Sequence, residues 1–280
     1  MKRWALTVAR AAMMGAVWLA PLTGSAFATT IDAAFARHTA DSTVIVDHSV
    51  WDGLLKTHVV KDVRGLNRIT YAKWKADGHT ALKTYITTLE AADVGALAKP
   101  EQFAFWANLY NAKTIDIVLD KYPVKSIKDI SLGGGLKSLV TGGPWQAPVT
   151  RVGGVALSLD DIEHKIMRGF FKDPRVHYAV NCASVGCPNL QAAAFTGAKL
   201  EGQLEAAAKD FINSPRGFTF DNGKISASSI YTWFAVDFGN SEAGVLAHAM
   251  MYAEPALKLK LNGAKSIAGY FYDWSLNDAR

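Results

Sequence analysis

Residues 101–122 constrain the fold of this chain more than any other stretch. Pro100 and Glu101 are helix-start signals, and Pro123 ends the run. Between them Phe103, Phe105, Trp106, Leu109, Tyr110, Ile115, Ile117, Val118 and Leu119 occupy most of the circumference of a helix. A helix that is apolar nearly all round has no face to give to water and must be enclosed. The predicted fold class is therefore α+β, a single domain with a mixed β-sheet flanked by helices and this helix buried at its centre. Asn108 and Asn111 lie one turn apart on the same helix, and buried amides need partners. They either bond neighbouring backbone or orient a site.

The elements around it are shorter. Ile31, Phe35 and His38 suggest a helical start, residues 43–46 an extended piece, and Leu82, Tyr85, Ile86 and Leu89 an amphipathic helix. Residues 127–148 form a glycine-rich loop that lacks the Gly-x-x-x-x-Gly-Lys-Ser/Thr spacing of a phosphate cradle. No nucleotide or other cofactor is expected, and the loop reads as a lid or the rim of a cleft. Ser158 and Asp161 make a capping box that opens a helix through Phe171. On its wheel Leu159, Ile162, Ile166 and Phe170 share a face, and Glu163 falls within that face. A carboxylate there is costly unless paired, with an arginine such as Arg175 as one partner. His164 and Arg168 share a flank one turn apart. Farther on come an amphipathic helix over 199–213, a hairpin turning at Asp221-Asn-Gly223, and helical stretches over 229–238 and 244–252. No internal repeat, low-complexity tract or linker divides residues 29–280.

The first 28 residues read differently. Lys2, Arg3 and Arg10 precede an apolar run from Ala11 to Leu22, and Ala26-Phe27-Ala28 fits a cleavage site. This is expected to be a signal peptide cut after Ala28, which places the product in the periplasm or outside the cell. The chain's formal charge of +5 includes three leader cations and no leader acid, so 5 − 3 leaves +2 for the mature part. With no basic stripe left, a nucleic-acid partner is not expected, and no later segment has the length and apolarity of a membrane span.

Both cysteines fall in 175–190, after the strand predicted over Val176 to Asn181. Polar residues where a strand gives way to a loop are a frequent address for a site. In an oxidising compartment Cys182 and Cys187 could close a disulfide, provided that the loop reaches the required Cα separation. Their spacing is not the Cys-x-x-Cys of thioredoxin-like enzymes. The seven histidines include no metal-binding pair and the cysteines no zinc-finger partners, so no metal is expected. A nucleophilic thiol needs a base within hydrogen-bond reach. His177 is five residues from Cys182, which in a continuous strand puts them on opposite faces about 16 Å apart at a rise of ~3.3 Å. His164 comes from a different element and carries no such restriction.

Five motifs occur together and in order: 105–112 (FWANLYNA), 122–127 (YPVKSI), 157–164 (LSLDDIEH) with Arg168, 173–182 (DPRVHYAVNC) with Cys187-Pro188, and 272–277 (YDWSLN). The chain from about residue 71 to its end resembles the bacterial exported branch of the domain-of-unknown-function family DUF547. The resemblance implies no activity that can be carried over. It also implies that plant relatives keep a cysteine at the place of Cys182 and a serine at that of Cys187, which favours Cys182 as a functional thiol.

Two functions from different classes follow. One is a cysteine-dependent hydrolase or acyl transferase acting on an amide or thioester bond of a small or peptide-like substrate. Cys182 is then the nucleophile, His164 or His177 the base and Glu163 an acid or orienting group, with Asn108, Asn111, Arg168 and Arg175 binding or orienting. The other is a non-catalytic periplasmic binding or scaffold domain with Cys182 and Cys187 oxidised.

Overall fold

The computed structural model describes residues 30–133 and 143–279. The expected leader lies outside the described residues, as does residues 134–142 of the glycine-rich loop.

The apolar stretch at 101–122 forms the helix Lys99–Lys121, with Pro100 in its first turn and every residue from Glu101 to Leu119 buried. Side chains leave it in all directions into one core, where Trp106 packs edge-on against Phe35 and Phe105, each at 4.9 Å. Removal of each such large side chain from water stabilises by about 1.5–3 kcal/mol. Helices Ser49–His58, Tyr71–Asp77 and His79–Glu90 pack on one side of it. The capped segment after Ser158 covers another.

Three small sheets replace the larger one that the sequence suggests, and the α+β class stands. Strands β1 (Val59–Lys61) and β2 (Asn67–Ile69) pair antiparallel, as do β3 (Thr150–Val152) and β4 (Val155–Leu157). The third sheet is mixed: β5 (Phe218–Asp221) and β6 (Lys224–Ser228) form the expected hairpin, and β7 (Gly269–Phe271) joins β6 in parallel. The extended piece at 43–46 pairs with no strand. A second core gathers under this sheet between the helices Leu200–Ile212 and Glu242–Tyr252, with Phe211, Tyr231 and Phe238 at its middle.

Two local expectations are corrected. Residues Asp161–Phe171 form a π-helix, not an α-helix, a wider winding that is frequent at functional sites. Its capping box holds in both directions, Asp161 N–H donating to Ser158 Oγ at 3.0 Å and Ser158 N–H to Asp161 Oδ2 at 2.9 Å. The strand predicted over 176–181 is instead a short helix, Val176–Ala179, that becomes extended at Val180. Asp173 and Pro174 start it: Asp173 Oδ1 accepts the Arg175 N–H at 2.8 Å, and the Asp173 and Pro174 carbonyls accept from Val176 and His177. The turn at Asp173 and Pro174, whose carbonyls take the first N–H groups of the helix, outweighs the β-propensity of Val176, Tyr178 and Val180. The turn also removes the strand argument that separated His177 from Cys182. Tyr178 enters the second core while Ala179 and Val180 enter the first, so this segment links the two.

Candidate functional site

Asn111 fixes the segment that carries the cysteines. From the buried helix its Nδ2 donates to the Ala179 carbonyl at 2.9 Å, and its Oδ1 accepts the Asn181 N–H at 2.8 Å. Asn108 makes the same pair of hydrogen bonds with the backbone of Phe195, donating at 2.8 Å and accepting at 3.0 Å. Both amides therefore bond backbone, and Asn111 also orients the site. Asn181 continues the clamp, donating to the Pro188 carbonyl and accepting from Ala183 N–H. The turn needs Ala183 at φ 61°, a left-handed conformation that costs an alanine roughly 1–2 kcal/mol.

The C-terminal segment closes over this loop. Val185 and Gly186 donate to the carbonyls of Ser275 and Asp273, both at 2.8 Å, and Asn277 donates to Ala183 at 3.1 Å. A Cβ on Gly186 would lie 2.7 Å from Asp273 N. The close approach requires glycine. It delivers Tyr272 to the sulfurs. The Tyr272 hydroxyl is 3.0 Å from Cys182 Sγ, 2.8 Å from Ser184 Oγ, and donates to Cys187 Sγ at 3.3 Å. Cys182 N–H donates to Cys187 Sγ at 2.9 Å, and Ser184 Oγ is 3.1 Å from Cys182 Sγ. Both cysteines are free, and the two sulfurs share one hydroxyl.

The sulfurs differ in acidity. Burial pushes the half-buried Cys182 well above an ordinary thiol, and its hydrogen bond to Cys187 holds its proton. Burial alone would also raise Cys187, but hydrogen bonds from the Cys182 thiol, the Tyr272 hydroxyl and the Cys182 N–H bring it down to about 7. Cys187 is thus the sulfur drawn toward the anion, and Cys182 the one pushed toward the thiol.

Both sulfurs lie on a cavity of about 490 Å³. Trp145, Trp233, Phe234, Tyr272 and Trp274 wall it, and Asp160, Glu163, His164, His177 and Lys128 reach it. Trp233 stacks on Trp274 at 5.5 Å and remains half exposed. The polar side is a chain of ion pairs. Buried His177 bonds Asp237 Oδ2 through Nε2 at 2.7 Å and faces Glu163 Oε1 through Nδ1 at 3.6 Å. Burial alone would lower its pKa, and the two carboxylates raise it above the ordinary value. Burial likewise opposes the charge on Glu163, but His177, His164 and Tyr110 hold it ionised and lower its pKa. Asp237 is lowered further by His177 and Arg168 against its burial. Burial and the nearby Glu163 raise Asp160 despite His164.

The site residues inferred from sequence thus divide. Cys182, Cys187, Glu163, His164 and His177 line one cavity. Arg168 stands behind it, donating to Asp237 at 2.6 Å and lying over Phe234 at 5.0 Å. Arg175 does not reach Glu163; it pairs with Asp173 and Glu201 on the outside. Among the described residues no histidine is hydrogen-bonded to either sulfur, and His164 Nδ1 faces Arg168 Nη1 at 3.4 Å. Sequence reasoning missed Asp237, Tyr110, Asp160 and the role of Tyr272. Tyr272 and Trp274 belong to a motif already noted at 272–277, whereas Asp237, in a short turn 60 residues from His177, carries no local signal.

One group away from the cavity bears on metals. Ligand atoms of His79, Asp116 and Asp120 lie within 4.8 Å of one another. Lys83 at 2.7 Å and Lys113 at 2.8 Å already bring their ammonium groups to Asp116, so the position a cation would take is neutralised by lysine.

Residues 94–212 match the family model DUF547, described as a protein of unknown function. The matched region spans the buried helix, the π-helix and both cysteines. It ends before Trp233, Asp237 and the C-terminal segment that supplies Tyr272, so it is shorter than the resemblance read from about residue 71 onward. No curated protein and no solved structure matches the chain. Among the described residues no helix is long and apolar enough to cross a membrane.

Proposed function

We propose that this chain is an exported binding domain of the DUF547 kind and that the cavity at Cys182 and Cys187 receives a small molecule. The observation that carries this reading is the arrangement of the cavity. Its aromatic wall is open at Trp233, while the imidazoles beneath are committed to carboxylates, not to sulfur. An apolar hollow with a few convergent polar groups is what a small-ligand site requires. Export rests on the leader expected at 1–28, and fractionation of expressing cells tests it: uncleaved protein in the cytoplasm refutes that part. Binding is tested by tryptophan fluorescence against a small-molecule panel. Ligands should quench the wild type and bind Trp233→Ala at least ten-fold more weakly. A panel that leaves the fluorescence of both proteins unchanged refutes the pocket.

The hydrolase or acyl transferase reading stands second, favoured by the Glu163–His177 pair on the same cavity as Cys182. It requires an imidazole to turn from its carboxylate toward sulfur. Acyl transfer to Cys182, trapped with a thioester probe and lost in His177→Gln at a temperature where circular dichroism shows that variant folded, supports it; no acylation of the folded protein rejects it.

A further inference from the structure

Two thiols facing a ligand cavity can do more than lie beside the ligand. Their environments differ: Cys187 Sγ accepts the Cys182 N–H at 2.9 Å and the Tyr272 hydroxyl at 3.3 Å, whereas the contacts of Cys182 Sγ are the hydroxyls of Tyr272 at 3.0 Å and Ser184 at 3.1 Å. The donors to Cys187 stabilise negative charge on its sulfur. Burial and the hydrogen bond to Cys187 favour the protonated form of Cys182. A dithiol with one sulfur held as the anion and the other as the acid has the division of labour of attacking and resolving groups. Cys187 is 4% exposed. Its surface faces the cavity, so a protein disulfide on a bulky surface cannot reach it and a small one can.

The geometry points to a thiol–disulfide exchange centre at Cys182 and Cys187, whose substrate is a small organic disulfide seated against the aromatic wall. This inference rests on the pocket reading and names the class of ligand. The lining supplies a cation in Lys128 and a carboxylate in Asp160 besides the Glu163–His177 pair. A disulfide with amino and carboxylate ends, such as cystine, matches both. In the first step Cys187 thiolate bonds to one substrate sulfur, the substrate S–S bond breaks, and the departing thiolate takes the Cys182 proton. Cys182 thiolate then bonds to Cys187 Sγ, expelling the second half as a thiolate that is protonated by solvent. Two protein thiols are oxidised by two electrons, and one disulfide is reduced to two thiols. An attacking thiol that ionises near 7 is at the optimum for exchange at neutral pH.

The test mixes reduced protein with cystine and with hydroxyethyl disulfide, under nitrogen. Wild type should release two small thiols per chain and lose two mass units. Cys182→Ser should stop at a mixed disulfide on Cys187, and Cys187→Ser should react at least ten-fold more slowly. Circular dichroism and Tm establish that each variant is folded, and the wild-type mass change stands without any variant. Failure of folded wild type to react, or adducts forming on Cys182 in preference to Cys187, overturns the inference. Fluorescence binding by the Cys182→Ser, Cys187→Ser double variant separates the two readings. If the double variant binds a panel ligand while wild type exchanges nothing, exchange alone is rejected and the pocket stands. If neither protein binds any ligand, the pocket is rejected with it.

Discussion

Replacing Tyr272 by phenylalanine removes one hydroxyl and leaves the ring on the cavity wall, so it isolates what the hydroxyl does for Cys187. The thiol falls from 9.0 to about 7, a drop of 9.0 − 7 = 2 in pKa, equivalent to roughly 3 kcal/mol in favour of the thiolate. That gain is net of burial, which works against it. Hydrogen bonds to a charged group contribute about 1.5–3 kcal/mol. The Tyr272–Cys187 bond, at 3.3 Å, comes from a hydroxyl shared with Ser184 at 2.8 Å and Cys182 at 3.0 Å and belongs at the weak end. Tyr272→Phe should therefore raise Cys187 by about one pKa unit, leaving roughly a tenth of it ionised at pH 7 where wild type has about half. The assay is iodoacetamide labelling of reduced protein across pH 5.5–9.5, with each cysteine quantified on its own peptide. Wild-type Cys187 should show its midpoint near 7 and Tyr272→Phe near 8, with about five-fold slower labelling at neutral pH. A midpoint that does not move, or a low midpoint belonging to Cys182, would refute the assignment of the anion.

Other expectations concern the scaffold. Asn111→Ala leaves the Ala179 carbonyl and Asn181 N–H unpaired in the core and should lower stability by about 2–4 kcal/mol in urea denaturation. Asn111→Asp, which keeps only the acceptor, should also destabilise. Gly186→Ala forces a Cβ onto Asp273 N and should cost about 1–3 kcal/mol; an unchanged midpoint would show that the C-terminal segment yields freely. The Glu163–His177–Asp237 chain sets a pH window. His177 is raised from 6.5, so its contribution is full below 6.5 and lost as pH rises through the folded value. Glu163 and Asp237 are lowered from 4.5 and 3.8, so theirs is full above those values and lost as pH falls through the lowered ones. The stability gap between wild type and Asp237→Asn should accordingly be wider at pH 5.5 than at pH 8.5, and the reverse order would contradict the charges assigned.

What the sequence reveals here divides according to the range of the interactions. The buried helix was legible because nine large apolar residues on all faces leave a single solution. The capping box at Ser158 was legible because its two bonds close within four residues. Glu163 stood out as an acid on an apolar face, and its partner was misassigned because the choice among cations depends on tertiary approach: Arg175 is drawn outward by Asp173, two residues away. Val176 to Asn181 has the composition of a strand, but an Asp-Pro turn immediately before it sets the backbone first. Asp237 and Lys128 belong to segments whose local patterns say nothing of a cavity.

The same distinction explains why the acidic sulfur is Cys187. In sequence Cys182 has the better address, at the end of the segment that carries His177. Acidity, however, is set by which donors converge on a buried sulfur. The donors at Cys187 are the Cys182 N–H, aimed by a turn that holds Ala183 left-handed, and the Tyr272 hydroxyl, brought by a C-terminal segment 85 residues away. Asn111 holds the first from the central helix, and the backbone bonds at Val185, Gly186 and Asn277 hold the second. Loosening either clamp should therefore displace a donor and raise Cys187 toward an ordinary thiol, although no residue that touches its sulfur is substituted. Gly186→Ala tests this apart from stability: if its folded form labels Cys187 with the wild-type pH midpoint, the C-terminal segment does not tune the thiol.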